Sequence, residues 1–241
     1  MNSRLDNVRE FFNKLTYLED SRDRIWVRTL IIRKFLLGFS PKVVLDIGCG
    51  DGSLSLWLLP KIRRLILNDL SEQMVRQAER RGSAHVGMEK IEYRLGDIST
   101  IDLDDETFDL VICVGLLAHV DDPQRLLKRL DTLIRKRGVI ILETSPDPKI
   151  YGSRLRGIFK RLGKEDDSYN AYEKNRVSLE DLNSWCDQMG WMIMNSARFS
   201  LPFIGFGFLP VWIRCAYSWI SWRLPVLSNK GNEHLVMYQK L

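Results

Sequence analysis

The chain has 241 residues, of which 45% are hydrophobic, and its formal net charge is +5. This length suits one well-buried domain, and the mild basic excess fits an anionic substrate, a nucleic acid or an anionic membrane without selecting among them. The four cysteines are widely spaced, which disfavours a disulfide framework or a zinc site and favours a cytoplasmic compartment. The polar first residues predict no signal peptide, and no apolar run is long enough to predict a spanning helix.

Residues 1–40 are predicted to be helical. Apolar residues recur at helical spacing within 5–18, and a second helix is predicted over 24–37. Gly38 and Pro41 follow this second segment and favour its termination there. The chain therefore begins with two predicted helices.

Strand-like and helix-like segments then alternate over residues 41–145. The predicted strands are 42–47, 64–69, 91–97, 108–114 and 138–144, and the predicted helices between them are 53–59, 71–81 and 122–135. Apolar strands separated by helices predict a parallel sheet that is covered on both faces. Right-handed crossovers then make it a doubly wound α/β fold.

The alternation ends after Thr144. Residues 146–177 are polar and basic, and residues 200–228 are rich in aromatic side chains. The remaining predicted elements are a helix over 178–189 and strands over 191–199 and 233–240. We interpret the basic and aromatic segments as additions to one core and not as separate domains.

A glycine-rich turn joins the first predicted strand to the next helix, in the segment VVLDIGCGDGSLSLWLL at 43–59. Gly48, Gly50 and Gly52 permit a tight turn with positive φ and leave no side chain between the backbone and a ligand. The predicted helix after Gly52 offers unpaired N–H groups. Ligands of open α/β sheets bind outside the carboxyl ends of the strands, where this turn lies. The pattern therefore predicts a cofactor site.

Two cofactor classes fit such a turn. The dinucleotide fingerprint is Gly-x-Gly-x-x-Gly, whereas this chain has Ser53 where the third glycine would fall. Asp69, at the end of the second predicted strand, suits a pair of ribose hydroxyls under either hypothesis. The missing glycine disfavours a nicotinamide dinucleotide, which remains the alternative.

The motifs DIGCGDG, NDLSEQMVRQA and LGDIS, in this order and spacing, resemble those of the class I S-adenosylmethionine (SAM)-dependent methyltransferases. The small-molecule branch of that family is the most similar, and the resemblance covers residues 41–145. It implies a Rossmann-like sheet of strand order 3-2-1-4-5-7-6, with the antiparallel last strand over 233–240. It also implies that residues 1–241 form one methyltransferase domain, with a cofactor-binding core at 41–145 and acceptor-side insertions at 146–177 and 200–228.

The resemblance implies how the methionine and ribose parts of SAM are held. Asp46 and the backbone of Gly48 and Gly50 would hold the methionine end. Asp69 would accept hydrogen bonds from both ribose hydroxyls, which is a charge-assisted bidentate contact.

The resemblance also implies an adenine site beyond the second strand. Leu70 and Met74 would pack against the adenine ring. Asp97 would accept a hydrogen bond from the adenine amino group, with the backbone N–H of Ile98 beside it.

The reacting end of the site is implied to follow the fourth strand. Val114 and Gly115 would line the wall near the sulfonium. His119 lies just beyond them and is a candidate general base, because the usual pKa of histidine suits proton removal near pH 7; the alternative is that it shapes the loop. Tyr17 is a second candidate, as a lid or acceptor contact, and its alternative is ordinary helix packing.

The segment VICVGLLAHVDDP after the fourth strand narrows the acceptor class. It lacks the Asn/Asp-Pro-Pro-aromatic motif of methyltransferases that act on the amino groups of bases or on glutamine. Cys113 follows Ile112 and not proline, which disfavours a cytosine-C5 enzyme. Nucleic acid is therefore a disfavoured substrate despite the positive charge.

The two insertions carry the remaining information on the acceptor. The segment 149–164 has the spacing of a basic amphipathic helix, which could lie on an anionic membrane or pack on the core. The segment 199–227 is strongly aromatic but interrupted by prolines and glycines. We interpret it first as a hydrophobic acceptor pocket or lid, then as a peripheral membrane contact, and third as a dimer interface. The sequence assigns no oligomeric state.

The sequence therefore predicts SAM-dependent methyl transfer to a hydrophobic or lipid-linked small molecule, on oxygen. One alternative is an NAD(P)-dependent oxidoreductase. Another is a SAM-binding partner protein without turnover, since a fold and a cofactor site do not establish catalysis.

Overall fold

The computed structural model describes residues 4–103, 107–144, 175–201, 206 and 209–241. The basic helix predicted over 149–164 lies outside these residues, as does part of the aromatic segment. The helices are α1 (Arg4–Asn13), α2 (Thr16–Asp20), α3 (Arg22–Phe35), α4 (Glu72–Gly82), α5 (Pro123–Leu133), α6 (Leu179–Gln188), α7 (Val211–Arg223) and α8 (Pro225–Ser228). The strands are β1 (Val43–Ile47), β2 (Arg64–Asp69), β3 (Ile91–Leu95), β4 (Phe108–Cys113), β5 (Ile134–Thr144), β6 (Trp191–Phe199) and β7 (Glu233–Lys240).

The strands form one sheet within the described part of the chain, in the order β3-β2-β1-β4-β5-β7-β6. Strands β1 to β5 pair in parallel, whereas β7 runs antiparallel to β5 and β6. This topology confirms the predicted strand order and the antiparallel closing strand. β4 is buried along its whole length, as expected for a parallel strand covered on both faces. β5 is longer than predicted, because it begins at Ile134.

Helices cover both faces of the sheet. On one face, α3 buries Val27 and Ile31 together with the segment 54–62. On the other face, α5 buries Leu127 and α6 buries Leu182. Each of these helices turns an apolar side to the sheet, and burial of that apolar surface stabilises the layered arrangement.

The N-terminal region contains three helices instead of the two predicted. The single helix predicted over 5–18 is interrupted at Leu15, whose φ of 59° is left-handed and unfavourable for a residue with a side chain. The chain therefore forms α1 and the short α2, and this break directs α2 towards α3. The helix predicted over 24–37 is present as α3, which spans Arg22–Phe35.

The prediction of a helix over 53–59 is wrong, because this segment contains only a three-residue 3-10 helix, Leu56–Leu58. The hydroxyl of Ser55 donates a hydrogen bond to the buried carboxylate of Asp46. A serine that bonds to a nearby polar group competes with regular helix, and Pro60 follows directly. The glycine turn, and not a helix N-terminus, therefore faces the carboxyl edge of the sheet.

The aromatic segment lies at the same edge of the sheet as the glycine turn. β6 is parallel to β5, since both are antiparallel to β7, so the chain leaves β6 at Phe199 on the edge where β1 to β5 end. It continues through α7 and α8 and returns to the sheet at Glu233. Within the described residues, no helix has the length and apolar character required to cross a membrane.

Candidate functional site

The glycine turn after β1 has the left-handed backbone that its sequence predicts. Gly48, Gly50 and Gly52 have φ values of 65°, 54° and 76°. A side chain at Gly52 would also place its Cβ 2.9 Å from a methyl carbon of Leu56. Glycine is required here by conformation and by space, and the backbone of the turn is left open towards the edge of the sheet.

Asp69 joins the glycine turn to the end of β2. Its Oδ2 accepts a hydrogen bond from the N–H of Gly50 at 2.9 Å, and its Oδ1 accepts one from the N–H of Ser71 at 2.9 Å. Burial raises the pKa of Asp69, while these backbone donors oppose the rise. Because each carboxylate oxygen has two lone pairs, both can still accept a hydroxyl from a ligand.

Asp97 is held at the neighbouring strand end by a residue that sequence reasoning missed. The amide of Asn68, on β2, donates to the carbonyls of Arg94 at 2.9 Å and Gly96 at 3.0 Å, which fixes the turn before Asp97. Asp97 accepts hydrogen bonds from the N–H and the hydroxyl of Ser99 at 2.9 and 2.6 Å. A polar residue in the otherwise apolar run of β2 was the signal that could have identified Asn68.

These strand ends surround a single cleft, which is lined by described residues. The cleft brings together all the residues that the sequence predicts for the cofactor, except Asp46. Those lining it are Gly48, Gly50, Asp69, Leu70, Met74, Asp97, Ile98, Val114 and Gly115. The two candidate catalytic residues, Tyr17 and His119, line the same cleft.

Asp46 does not line the cleft, and its role at the methionine end of the cofactor stays a prediction. It is 1% exposed, and its Oδ2 accepts a hydrogen bond from the hydroxyl of Ser55 below the glycine turn. Burial raises the pKa of Asp46 to about 7, against the lowering effect of the Ser55 hydroxyl. Asp46 therefore supports the turn from beneath.

Helix α1 covers the cleft with its apolar stripe, in keeping with the lid position expected for the N-terminal helical region around Tyr17. Leu5, Val8 and Phe12 contribute to the lining. Arg4 ties the start of α1 to the loop after β4, since it donates to the carbonyl of Ala118 at 3.2 Å. At the other end, the hydroxyl of Ser71 donates to the side-chain oxygen of Asn13 at 2.6 Å. The apolar side of the helix faces the cleft instead of the sheet.

An aromatic cluster joins this cover to the candidate catalytic residues. The ring of Phe12 makes edge contacts with Tyr17 and His119, at centroid distances of 5.4 and 5.3 Å. The hydroxyl of Tyr17 accepts a hydrogen bond from Arg28 at 2.8 Å. His119 and Tyr17 therefore lie in the same part of the cleft, both in contact with one phenylalanine.

A buried charge cluster lies beside this part of the cleft. Arg28, on α3, donates to Oε1 of Glu143 at 2.9 and 2.7 Å and contacts Oε2 of Glu233 at 3.4 Å. Arg24 also contacts Glu233 at 3.4 Å. Burial raises the pKa of Glu143 to about 7, although Arg28 opposes the rise. The sequence offered no signal for this cluster, because its members come from distant segments.

The comparisons with known proteins agree with this geometry. Residues 45–142 match the family model described as "Methyltransferase domain". A ubiquinone biosynthesis O-methyltransferase from Coxiella burnetii is 30% identical over 158 residues, which is 64% of this chain. The chain spans 65% of the length of that relative.

Two solved structures share the fold at low sequence identity. The magnesium protoporphyrin IX methyltransferase of Synechocystis PCC 6803, solved with bound S-adenosylhomocysteine, has a TM-score of 0.68 and 16% identity. The match covers 99% of this chain and all of that one. An N-methyltransferase from Bradyrhizobium japonicum has a TM-score of 0.61 and 14% identity, with 92% of this chain and 90% of that one covered.

Three observations agree: the cleft at the strand ends, the order of the strands and the matched domain. Residues 45–142 match a methyltransferase domain, and the fold is that of solved methyltransferases with bound S-adenosylmethionine or S-adenosylhomocysteine.

Proposed function

We propose that the protein transfers the methyl group of SAM to the oxygen of a hydrophobic or lipid-linked small molecule. One observation carries this proposal. The cleft is lined both by carboxylates, Asp69 and Asp97, and by an apolar cover from α1, formed by Leu5, Val8 and Phe12. The carboxylates suit the ribose and adenine of the cofactor, and the apolar cover suits the acceptor.

The cofactor supplies the electrophilic methyl group, and the protein supplies binding, orientation and a water-poor site. Asp69 would accept the ribose hydroxyls and Asp97 the adenine amino group. Gly48 and Gly50 would allow the methionine end to approach the backbone. The apolar cover would exclude water and help to align the acceptor for methyl transfer, and such alignment can remove a large part of the barrier.

Two observations support an apolar acceptor and methylation on its oxygen. Apolar side chains of the loop after β4, Leu116 and Val120, line the cleft together with those of α1. The Coxiella burnetii relative is named for O-methylation in ubiquinone biosynthesis. The match to a methyltransferase domain argues against the NAD(P)-dependent alternative.

Label partitioning tests this function. The purified protein is incubated with methyl-labelled SAM and a lysate of the organism that encodes it, and the label is separated into organic, aqueous and precipitated fractions. We expect label in the organic phase, in a methyl ether that survives mild alkali. A methyl ester would instead release labelled methanol under the same treatment. Label in the precipitate indicates a macromolecular acceptor, and label in the aqueous phase a polar one. If SAM binds but no fraction is labelled, the chain is a binding protein without turnover.

A membrane contact is part of the proposal. The contact is inferred from α7, an amphipathic helix whose apolar face points outwards and whose polar face is buried. The outer face of α7 is apolar, with Trp212 71%, Trp219 39% and Ile220 46% exposed. Its inner face is polar, since buried Arg214 pairs with Asp23 on α3 at 3.1 Å. An apolar face turned outwards, on a basic chain, suits the interface of an anionic membrane. An acceptor with a lipid tail would be taken up from that surface.

Flotation with liposomes checks this contact. We expect the protein to float with phosphatidylglycerol vesicles at low salt, and the double substitution Trp212→Ala with Trp219→Ala to weaken binding about tenfold or more, because each ring loses apolar burial. Trp26→Ala is the matched control, since Trp26 is 41% exposed but lies on a different surface beside Trp57. Equal flotation of the double variant and the control would contradict the membrane contact.

A further inference from the structure

The glycine turn has two sides, and the cofactor cleft lies on one of them. Gly48 and Gly50 line the cleft. Asp51 and Ser53, further along the same turn, line a different groove, to which α3 also contributes. Arg81, on α4, lies in this groove beside them. The turn therefore separates the cofactor cleft from the groove that holds Arg81.

Arg81 holds the groove side of the turn. Its guanidinium pairs with Oδ2 of Asp51 and donates a hydrogen bond to the hydroxyl of Ser53 at 2.6 Å. Ser53 in turn donates to Oδ1 of Asp51, through its hydroxyl at 2.6 Å and its backbone N–H at 3.1 Å. Arg81, Asp51 and Ser53 thus form a closed network of contacts, which we call the Arg81 clamp.

The clamp acts on the part of the turn that faces the cofactor cleft. Asp51 lies between Gly50 and Gly52, whose φ values of 54° and 76° are left-handed. The N–H of Gly50 donates to Asp69 at 2.9 Å, so this peptide is anchored on the cleft side as well. A glycine-rich backbone has many alternative conformations, and each contact that excludes them preorganises the turn for a ligand.

The clamp also ties the turn to α4. This helix brings Met74 to the lining of the cleft and carries Arg81 in its last turn. A movement of α4 relative to the turn would change the distance between Met74, the expected adenine contact, and Gly50, the expected methionine contact. The clamp therefore fixes the relative position of two parts of the cofactor site.

The exposure of the clamp determines where its effect should be largest. The side chain of Arg81 is 45% exposed and that of Asp51 is 15% exposed. Exposed ion pairs contribute little to the free energy of unfolding, although networks contribute more than isolated pairs. We therefore expect the clamp to order the turn locally and to change the global stability only slightly.

We propose that Arg81 is a positioning residue for SAM: it lies outside the cleft and orders the glycine turn through Asp51 and Ser53 before the cofactor binds. This inference rests on the cofactor contacts of the proposed function and deepens them, because it assigns part of the SAM affinity to a residue that does not touch SAM. Arg81 takes part in no chemical step, so loss of the clamp should raise the KM for SAM and leave kcat at saturating SAM unchanged.

Isothermal titration of SAM into the full chain tests this inference. We expect Arg81→Gln to raise the Kd of SAM about five- to tenfold, at the low end of the range for coupled sites because the clamp is partly exposed. Arg80→Gln is the matched control, since Arg80 is exposed, lies next to Arg81 in the last turn of α4 and is outside the described lining of the groove. Both variants lose one positive charge at the same helix end, so their effect on the helix dipole is the same. Arg80→Gln should keep the Kd within about twofold of wild type.

A second variant, Asp51→Asn, shows whether Arg81 acts through the turn. If it does, the losses of SAM affinity in Arg81→Gln and Asp51→Asn should not add in the double variant. Backbone amides at 50–53 of the free protein should exchange hydrogen faster in Arg81→Gln than in Arg80→Gln, because local opening of the turn costs less. A merely structural role of the clamp predicts instead a loss of stability in urea without a change in the Kd of SAM.

Three outcomes would overturn the inference. They are an Arg81→Gln protein whose Kd for SAM stays within about twofold of wild type, losses that add fully in the double variant, and an equal loss of affinity in Arg80→Gln. All three leave SAM binding by the wild-type chain intact, so they do not affect the proposed function. A wild-type chain that binds no SAM would overturn both, whereas one that binds SAM but transfers no methyl group would contradict the function alone.

Discussion

Replacing Arg28 with methionine is expected to lower the free energy of unfolding by about 3–5 kcal/mol, since removal of one partner leaves the other charge of a buried pair uncompensated. Arg28 pairs with two buried carboxylates, those of Glu143 and Glu233. The exposed fractions of Arg28, Glu143 and Glu233 are 6%, 3% and 8%. Methionine has a similar length, so the substitution removes the charge without opening a large cavity. For a chain of this size, the loss corresponds to a fall in Tm of roughly 6–20 °C.

The loss of stability in the Arg28→Met variant should grow with pH. The pKa of Glu143 is raised in the folded state, to about 7, and removal of the cation raises it further. A folded carboxyl with a raised pKa binds more protons than the unfolded chain, so its effect on stability becomes unfavourable as pH rises. We therefore expect a smaller difference between wild type and variant at pH 5.5 than at pH 8.

Urea unfolding at both pH values measures these differences, and two variants serve as controls. Arg28→Lys keeps the charge but not the bidentate geometry, so it should lose less stability than Arg28→Met. The double variant Arg28→Met with Glu143→Met should recover part of the loss, because well-packed apolar groups often replace a buried ion pair without cost. If Arg28→Met lowers stability by under 1 kcal/mol at pH 8, the cluster is not the buried charge network described above.

Replacing Asp69 with alanine is expected to weaken SAM binding about 10²–10⁴-fold. Each hydrogen bond to a charged group contributes about 1.5–3 kcal/mol, and the ribose would lose two of them. The carboxylate also accepts the N–H groups of Gly50 and Ser71, so the turn that faces the cofactor loses its anchor. Isothermal titration with SAM and with S-adenosylhomocysteine measures the change.

The matched control for Asp69→Ala is Asp46→Asn. Asp46 is a neighbouring buried carboxylate that does not line the cleft, and asparagine keeps an oxygen acceptor for the Ser55 hydroxyl. We expect its dissociation constant for SAM to stay within about threefold of wild type, well below the cost of one charged hydrogen bond. Wild-type affinity in Asp69→Ala, or a large loss in Asp46→Asn, would reverse the roles assigned to these two carboxylates.

Most of the cofactor side of the cleft was predictable from the sequence, and the reason is topological. Asp69 ends a strand of the alternating pattern, and Gly48, Asp97 and Gly115 lie just beyond one. In a parallel sheet the carboxyl ends of all strands lie at one edge, so residues at successive strand ends must approach each other. Asp46 lies within β1 and not at a strand end, and the alternation of side chains directs it under the turn.

The N-terminal helices were only partly predictable. The helical spacing of apolar residues indicated an amphipathic helix over α1, but spacing does not say which surface the apolar side covers. The break at Leu15, with its left-handed φ, is a local feature without a glycine or proline to announce it. The covering role of α1 follows from its contacts with the loop after β4 and with Ser71, which belong to the tertiary structure.

The sequence by itself determined the alternating sheet, the glycine turn and the carboxylates at the strand ends, because these depend on local patterns of apolar residues, glycine and acidic side chains. Only the tertiary structure decided the charge cluster of Arg28, Glu143 and Glu233, whose members are separated by 115 and 205 residues from the arginine along the chain. It also decided that α7 turns its apolar face outwards, because Arg214 finds its partner Asp23 on α3 and the polar side of the helix is buried there. Pairing of distant charges depends on which elements pack together, and no local pattern records that choice.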